Sequence, residues 1–414
     1  MNFSLLWSLL LMVLDLFRSL LIIIIFFLSI WIIIPAPNMT LIPLSVGVPE
    51  ISAWFILIQT LCLGITLINF QANWQSFILI VISIISLSLL IYPFLQFPQV
   101  NAEFQQQMET NLNFGVDSPK QSGDPRVTET QRRSQPLIVK DLFTGVSTPE
   151  VRIKRDITFA QFEEPKLQLN VYQPLQKGTY PTLIVIYGGG WRHGTPDNNE
   201  EFSKYIANQG YTVIAIDYRH APQHQFPIQL EDVNLACQYI HDRADELEVD
   251  LDAVAIMGRS AGSQLAMLTG YQNDDRIIKF KAVIGYYGPI DLTHAYNYLP
   301  DPDPIDTRAV LLDYLGDNPA NLPEAYKKAS PINHVKGDLP PSLLIYASRD
   351  HIVQPEAGRK MARKLREYNN EVVYLEIPWA DHAFDTVFFG LSNQISLYYT
   401  ERFLAYTLNK KPNI

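Results

Sequence analysis

The run Gly258-Arg259-Ser260-Ala261-Gly262 holds a serine between two glycines. In a G-x-S-x-G run the serine sits on a sharp strand-to-helix turn, whose crowding leaves no room for side chains at the two glycine positions. The context such a turn needs is present: Ala253 to Met257 reads as a strand and Ser260 to Thr269 as a helix. A serine hydroxyl becomes a useful nucleophile only when a base takes its proton, and that base needs a carboxylate to fix its tautomer. Two later loops carry both residue types, Ser348-Arg349-Asp350-His351 and Ala380-Asp381-His382. A second glycine run, Gly188-Gly189-Gly190, lacks the spacing of a phosphate-binding loop. His193, His220 and His224 fall in loops with no metal-type spacing and read as loop or pocket-rim residues, so neither metal nor cofactor is expected.

The elements that must position these groups are short β-rich runs alternating with longer helical ones. Strands are expected at Ile153 to Phe159, Gln168 to Tyr172, Thr182 to Tyr187, Thr212 to Asp217, Ala253 to Met257, Ala282 to Tyr286, Ser342 to Ala347 and Val372 to Ile377. Continuous apolar runs such as Leu183-Ile184-Val185-Ile186 fit strands buried on both faces of a mostly parallel sheet. Helical patterns cover Glu200 to Gln209, Ile228 to Leu247, Ser260 to Thr269, Pro355 to Tyr368 and Ser392 to Thr407. The alternation predicts an α/β layered domain whose ligands bind beyond the carboxyl ends of the strands.

The stretch from about Gln168 to Leu408 resembles the esterase and lipase group related to hormone-sensitive lipase and bacterial acetyl esterases. That group's His-Gly-Gly-Gly-Trp motif stands here as Tyr187-Gly188-Gly189-Gly190-Trp191, and its Asp-Tyr-Arg-x-Ala-Pro stretch as Asp217-Tyr218-Arg219-His220-Ala221-Pro222. The resemblance implies an α/β-hydrolase fold with an eight-stranded sheet. It implies Ser260 as nucleophile, His382 as base and Asp350 as the residue orienting the base, in the chain order serine, acid, histidine. Backbone N–H groups of Gly189, Gly190 and Ala261 would form the oxyanion hole. Tyr187 departs from the group's histidine, which bears on the shape of the glycine loop. His351 comes too early to be the base and reads as a surface residue; Asp381, on a turn beside His382, reads as a solvated neighbour. Trp191, Tyr218 and Tyr287 read as core or pocket walls, and the Pro-rich interruption between His294 and Asp338 as an insertion covering the pocket.

Composition divides the chain unevenly. Only Asp15, Arg18 and Glu50 are charged up to Phe97, although the net charge of the whole is −10. An acidic balance without a long basic run excludes a nucleic-acid partner. Cys62 and Cys237 cannot make a disulfide framework. A spanning helix takes roughly 20 apolar residues, and about three are expected within residues 1–97: Leu20 to Ile34 preceded by Leu5 to Phe17, Ile51 to Phe70, and Ser76 to Phe97. Asp15 and Arg18, one helical turn apart, can neutralise each other.

Residues 98–150, rich in Gln, Asn, Ser, Thr and Pro, are expected to be a polar linker with a short docked piece at Leu137 to Phe143. Residues 151–414 are then the catalytic domain, expected to be soluble and active alone. Arg18 beside the first span predicts a cytoplasmic N-terminus. After three crossings the catalytic domain would lie on the extracytoplasmic side. The expected activity is hydrolysis of a small-molecule or lipid carboxylic ester through an acyl-enzyme, with the bilayer as the other partner. The alternatives are an acyltransferase or a prenylcysteine-methylesterase-like enzyme acting on a membrane substrate, and a non-catalytic binding protein of the same fold.

Overall fold

The computed structural model describes residues 3–112, 132–162, 165–272 and 277–408. Four helices come first: α1 (Phe3–Ile30), α2 (Ile42–Glu50), α3 (Ser52–Ile68) and α4 (Trp74–Leu112). The first expected span, Leu20 to Ile34 preceded by Leu5 to Phe17, is a single helix as far as Ile30, with Asp15 and Arg18 paired at 3.3 Å. Helices α1 and α4 are each long and apolar enough to cross a membrane. Helices α2 and α3 meet at a 75° bend and count as a further span only if taken together.

The segment expected to be a linker begins as helix. Helix α4 runs on to Leu112, and Phe97, Val100, Phe104, Met108 and Leu112 are buried in the core of the sheet domain. These residues recur every three or four positions, so one stripe of an otherwise Gln- and Asn-rich stretch is apolar. Phe104 packs edge-on against Tyr399 at 5.4 Å, and the Tyr399 hydroxyl donates to the Asn101 side chain at 2.7 Å. Residues 113–131 of the expected linker lie outside the described residues. Its far end is docked. Arg133 is buried, with its backbone N–H donating to Glu401 and its guanidinium to Asp141 and Gln394. Helix α5 (Asp141–Thr144) buries Leu142 and places Phe143 edge-on to Trp54 at 5.1 Å. A cut at residue 151 would therefore uncover one face of the sheet.

All eight expected strands are present: β1 (Arg152–Gln161), β2 (Lys166–Gln173), β3 (Tyr180–Ile186), β4 (Thr212–Ile216), β5 (Val249–Arg259), β6 (Phe280–Tyr286), β7 (Ser342–Ala347) and β8 (Val372–Ile377). They form one sheet in the order β1-β2-β4-β3-β5-β6-β7-β8, antiparallel at β1-β2 and β2-β4 and parallel from β4 onward. Successive residues of β3 serve opposite faces: Leu183 and Val185 share a core with α4, α6 (Glu200–Asn208) and α14 (Leu391–Leu408), while Ile184 and Ile186 share one with α7 (Ile228–Asp242), α9 (Ala261–Tyr271) and α13 (Pro355–Glu367). The short α8 (Ala244–Leu247) follows α7. The Pro-rich interruption holds α10 (Leu292–Asn297), α11 (Thr307–Leu315) and α12 (Pro323–Ala329). Gly258 pairs with Ile186 of β3 and Gly285 of β6, so Ser260 emerges at the carboxyl end of the sheet's centre.

Candidate active site

Ser260 stands between β5 and α9 with φ 49° and ψ −123°, a strained conformation for a residue with a side chain. The turn is held by the Ser260 N–H donating to Tyr286 O at 3.0 Å. A Cβ at Gly258 would lie 2.0 Å from Gly262 O, and one at Gly262 would lie 2.3 Å from the carbonyls of Ile186 and Tyr187. Glycine at both positions is what lets helix α9 close onto the strand and push the serine outward.

The structure brings together the three residues that the resemblance singled out. His382 Nε2 lies 2.9 Å from Ser260 Oγ, and His382 Nδ1 lies 2.7 Å from Asp350 Oδ2. The other Asp350 oxygen accepts from the N–H groups of Ile352 at 2.8 Å and Val353 at 2.7 Å, which fixes the carboxylate. Burial would lower the His382 pKa, but the charge and hydrogen bond of Asp350, helped by Asp381 and Asp385, carry it above the ordinary histidine value. A loop carbonyl-to-amide bond, Arg349 N–H to Ala380 O at 3.1 Å, joins the acid loop to the histidine loop.

Asp381 is buried rather than solvated. Its side chain accepts from the His382 N–H at 2.7 Å and lies 3.9 Å from the half-buried His351 ring. Burial opposes its charge, yet His351, the His382 N–H and Ser45 hold its pKa below the ordinary carboxylate value. Asp381 thus shapes the histidine turn without meeting the imidazole edge that Asp350 occupies.

The glycine loop forms the opposite wall. Gly189 and Gly190 have φ of +135° and +59°, and a Cβ on Gly189 would strike His193 O at 2.0 Å. Ala261 opens α9, where the first N–H groups of a helix find no carbonyl of their own helix. Tyr187, in place of the resembled group's histidine, stacks on Tyr218 at 4.5 Å, and its hydroxyl meets Asp217 at 2.5 Å and His220 Nε2 at 2.9 Å. The loop is thereby tied to the Asp217-Tyr218-Arg219 stretch. Trp191 and Tyr218 are core: Trp191 stacks on Tyr314 of α11 at 4.0 Å and donates to Gln264 at 3.1 Å. Tyr287 touches the site, with its ring 4.7 Å from His382.

Sequence reasoning passed over three groups. Arg259, the variable residue of the glycine-serine turn, is buried and ion-paired with Asp385, which also accepts from the Tyr287 hydroxyl. This pair joins the serine turn to the loop after His382; an arginine within an otherwise apolar turn was the available signal. Met39 and Ile42, from the N-terminal part, line the same pocket as Ser260, His382 and Gly190. No motif marked them. The pocket encloses about 590 Å³, and Ile305 and Val310 of the insertion also border it, so the insertion contributes to its wall.

A family model described as BD-FAE matches residues 169–365. Over 220 residues the chain is 31% identical to the probable carboxylic ester hydrolase LipM of Mycobacterium tuberculosis, covering 50% of each chain. Over 242 residues it is 31% identical to esterase LipC of the same organism, covering 54% of this chain and 58% of that one. The chain spans about half the length of the curated relatives it matches. Among solved structures, a thermophilic esterase of Thermogutta terrifontis superposes with a TM-score of 0.51 at 22% identity, over 64% of this chain and 95% of that one. A carbohydrate esterase from gut microbiota gives 0.51 at 21%, over 61% and 96%. At such identity these two speak for the fold.

Proposed function

We propose, from the premise that residues 169–365 are a BD-FAE domain of the hormone-sensitive-lipase-like family, that this chain is a serine hydrolase cleaving carboxylic esters. One observation carries the reading: Ser260, His382 and Asp350 form a continuous hydrogen-bonded chain at a pocket whose other wall is the glycine loop. Ser260 Oγ attacks the ester carbonyl carbon while its proton passes to His382 Nε2. The oxyanion is held by the N–H groups of Gly189, Gly190 and Ala261, each such donor contributing about 2.7 to 4 kcal/mol. Breaking the bond to the alcohol oxygen leaves Ser260 acylated, and His382 returns the proton to the departing alkoxide. Water then gives a proton to His382, attacks the acyl carbon and releases the carboxylate, and Ser260 recovers its hydrogen.

The catalytic unit, residues 151–414, is carried by an integral membrane segment. Helices α1 and α4 both finish at the catalytic unit: carbonyls of Trp31 and Ile34 accept from Arg349, and the end of α4 lies in the sheet's core. Two helices running in the same sense need a return crossing, which falls to the bent pair of α2 and α3. Within that pair the 17 residues of α3 extend about 25 Å at 1.5 Å each. Three crossings put the N-terminus and the catalytic unit on opposite sides, with the catalytic unit extracytoplasmic. Arg18 lies inside α1 and is paired with Asp15, so the side rests on the acidic Glu103 and Glu109 that follow the last crossing. Digestion of sealed vesicles tests this: a catalytic unit protected only in the cytoplasm-facing-in orientation refutes it.

The enzymatic reading is tested on the full chain in lipid nanodiscs with a fluorophosphonate probe and a series of p-nitrophenyl esters. Wild type is labelled and turns over, and Ser260→Ala does neither. Comparable turnover by folded Ser260→Ala overturns the reading.

A further inference from the structure

Part of the pocket's apolar lining comes from the N-terminal helical segment, beside Phe202, Ile305, Val310, Ile352 and Phe388 of the sheet domain. Met39 belongs to the connector between α1 and α2 and Ile42 begins α2, yet both line the pocket together with Ser260 and His382. They are held there by three attachments. Helix α2 packs on the turn Phe384–Thr386, just beyond His382. The Arg349 guanidinium, adjacent to Asp350, donates to Trp31 O at 3.3 Å and Ile34 O at 3.2 Å. At the far end of α2, the buried Glu50 accepts from the Ser392 N–H at 2.8 Å and from its hydroxyl at 2.5 Å.

The connector also presents large apolar side chains outward. Ile33, Ile34 and Met39 are 56%, 46% and 57% exposed, directly after the membrane-length α1. Exposed apolar groups beside a pocket mouth mark a surface that contacts other apolar matter. The lining also holds the polar run Asn198, Asn199, Glu200 and Glu201. The pocket therefore offers both apolar and polar contacts.

We propose that the substrate is an amphiphilic long-chain ester resident in the bilayer, whose hydrocarbon chain enters over Met39 and Ile42 while its polar end rests against Asn198 to Glu201. Met39 and Ile42 are specificity-determining residues of the ester-hydrolase reading, on which this inference rests. A soluble small ester would have no use for a wall contributed by the membrane segment. Contact with Met39 and Ile42 offsets part of the apolar surroundings that such a chain leaves in lipid.

The test measures selectivity on the full chain in phosphatidylcholine nanodiscs, as the ratio of kcat/KM for 4-methylumbelliferyl palmitate to that for the acetate. Wild type favours palmitate. Met39→Glu combined with Ile42→Glu, which puts charge on the wall, lowers the ratio at least tenfold. Met39→Trp combined with Ile42→Trp, which keeps the wall apolar but fills it, does the same and serves if the first pair fails to bind the fluorophosphonate probe. A wild type that prefers acetate overturns the proposal, as does a ratio unchanged within twofold in probe-labelled variants. A wild type that hydrolyses neither ester and takes no probe defeats the hydrolase reading itself, a result separate from lost selectivity.

Discussion

Phe104→Ala distinguishes a linker from a structural post. Were residues 98–112 a solvated tether, the change would fall within about ±0.5 kcal/mol, as surface substitutions do. Instead Phe104 is 2% exposed, stands edge-on to Tyr399 and shares a core with Met108 one turn along. Truncating such a phenylalanine costs about 3 to 5 kcal/mol. At about 2 to 4 °C per kcal/mol for a unit of this size, the expected fall in Tm is about 6 to 20 °C. The assay is thermal unfolding of the full chain in nanodiscs, followed by tryptophan fluorescence, since Trp379 is fully buried 6.1 Å from Phe97 of the same helix. Gln105→Ala, on the exposed side of α4, is the matched control. A fall of less than about 2 °C for Phe104→Ala would refute the reasoning that α4 completes the sheet domain.

Three further outcomes follow from the site. Asp350→Asn lowers turnover by about 10⁴-fold, the cost of losing the orienting acid, whereas Asp381→Asn lowers it far less. Only neutral His382 can accept the Ser260 proton, so kcat/KM falls as pH drops through its pKa, which Asp350 and its neighbours hold above the ordinary histidine value despite burial. Removing the Asp381 charge withdraws part of that support, and the acid limb of the Asp381→Asn profile moves to lower pH; a shift to higher pH would contradict the charge assignment. Asp385→Asn leaves the 3% exposed Arg259 without its partner and destabilises the fold by about 3 to 5 kcal/mol. Equilibrium unfolding checks this, and adding Arg259→Met restores part of the loss.

The sheet was legible because its strands are buried on both faces, so Leu183-Ile184-Val185-Ile186 and its counterparts stand out as unbroken apolar runs. Ser260 was legible because steric crowding leaves a glycine signature on each side of it. Asp350 and His382 followed from strand ends and chain order. What escaped notice depends on partners distant in sequence. Phe97, Val100, Phe104, Met108 and Leu112 form a single apolar stripe within polar composition, and composition drowned the stripe. Asp381 looked solvated because nothing local reveals that Ser45 and His351 enclose it. Met39 and Ile42 have no chemistry of their own and acquire a role only through where α2 docks.

The continuity of α4 also bears on how the chain is made. Its 39 residues extend about 58 Å at 1.5 Å each, whereas the hydrocarbon of a bilayer is about 30 Å thick. Roughly half the helix matches that thickness, and the remainder is a layer of the sheet domain. Synthesis delivers α1 to α4 before any strand, so the helix against which the strands later assemble is made first. A chain in which the end of α4 failed to dock would leave Phe97, Val100, Phe104, Met108 and Leu112 exposed together with the sheet face they cover. The apolar helices and the sheet domain therefore mature as one unit.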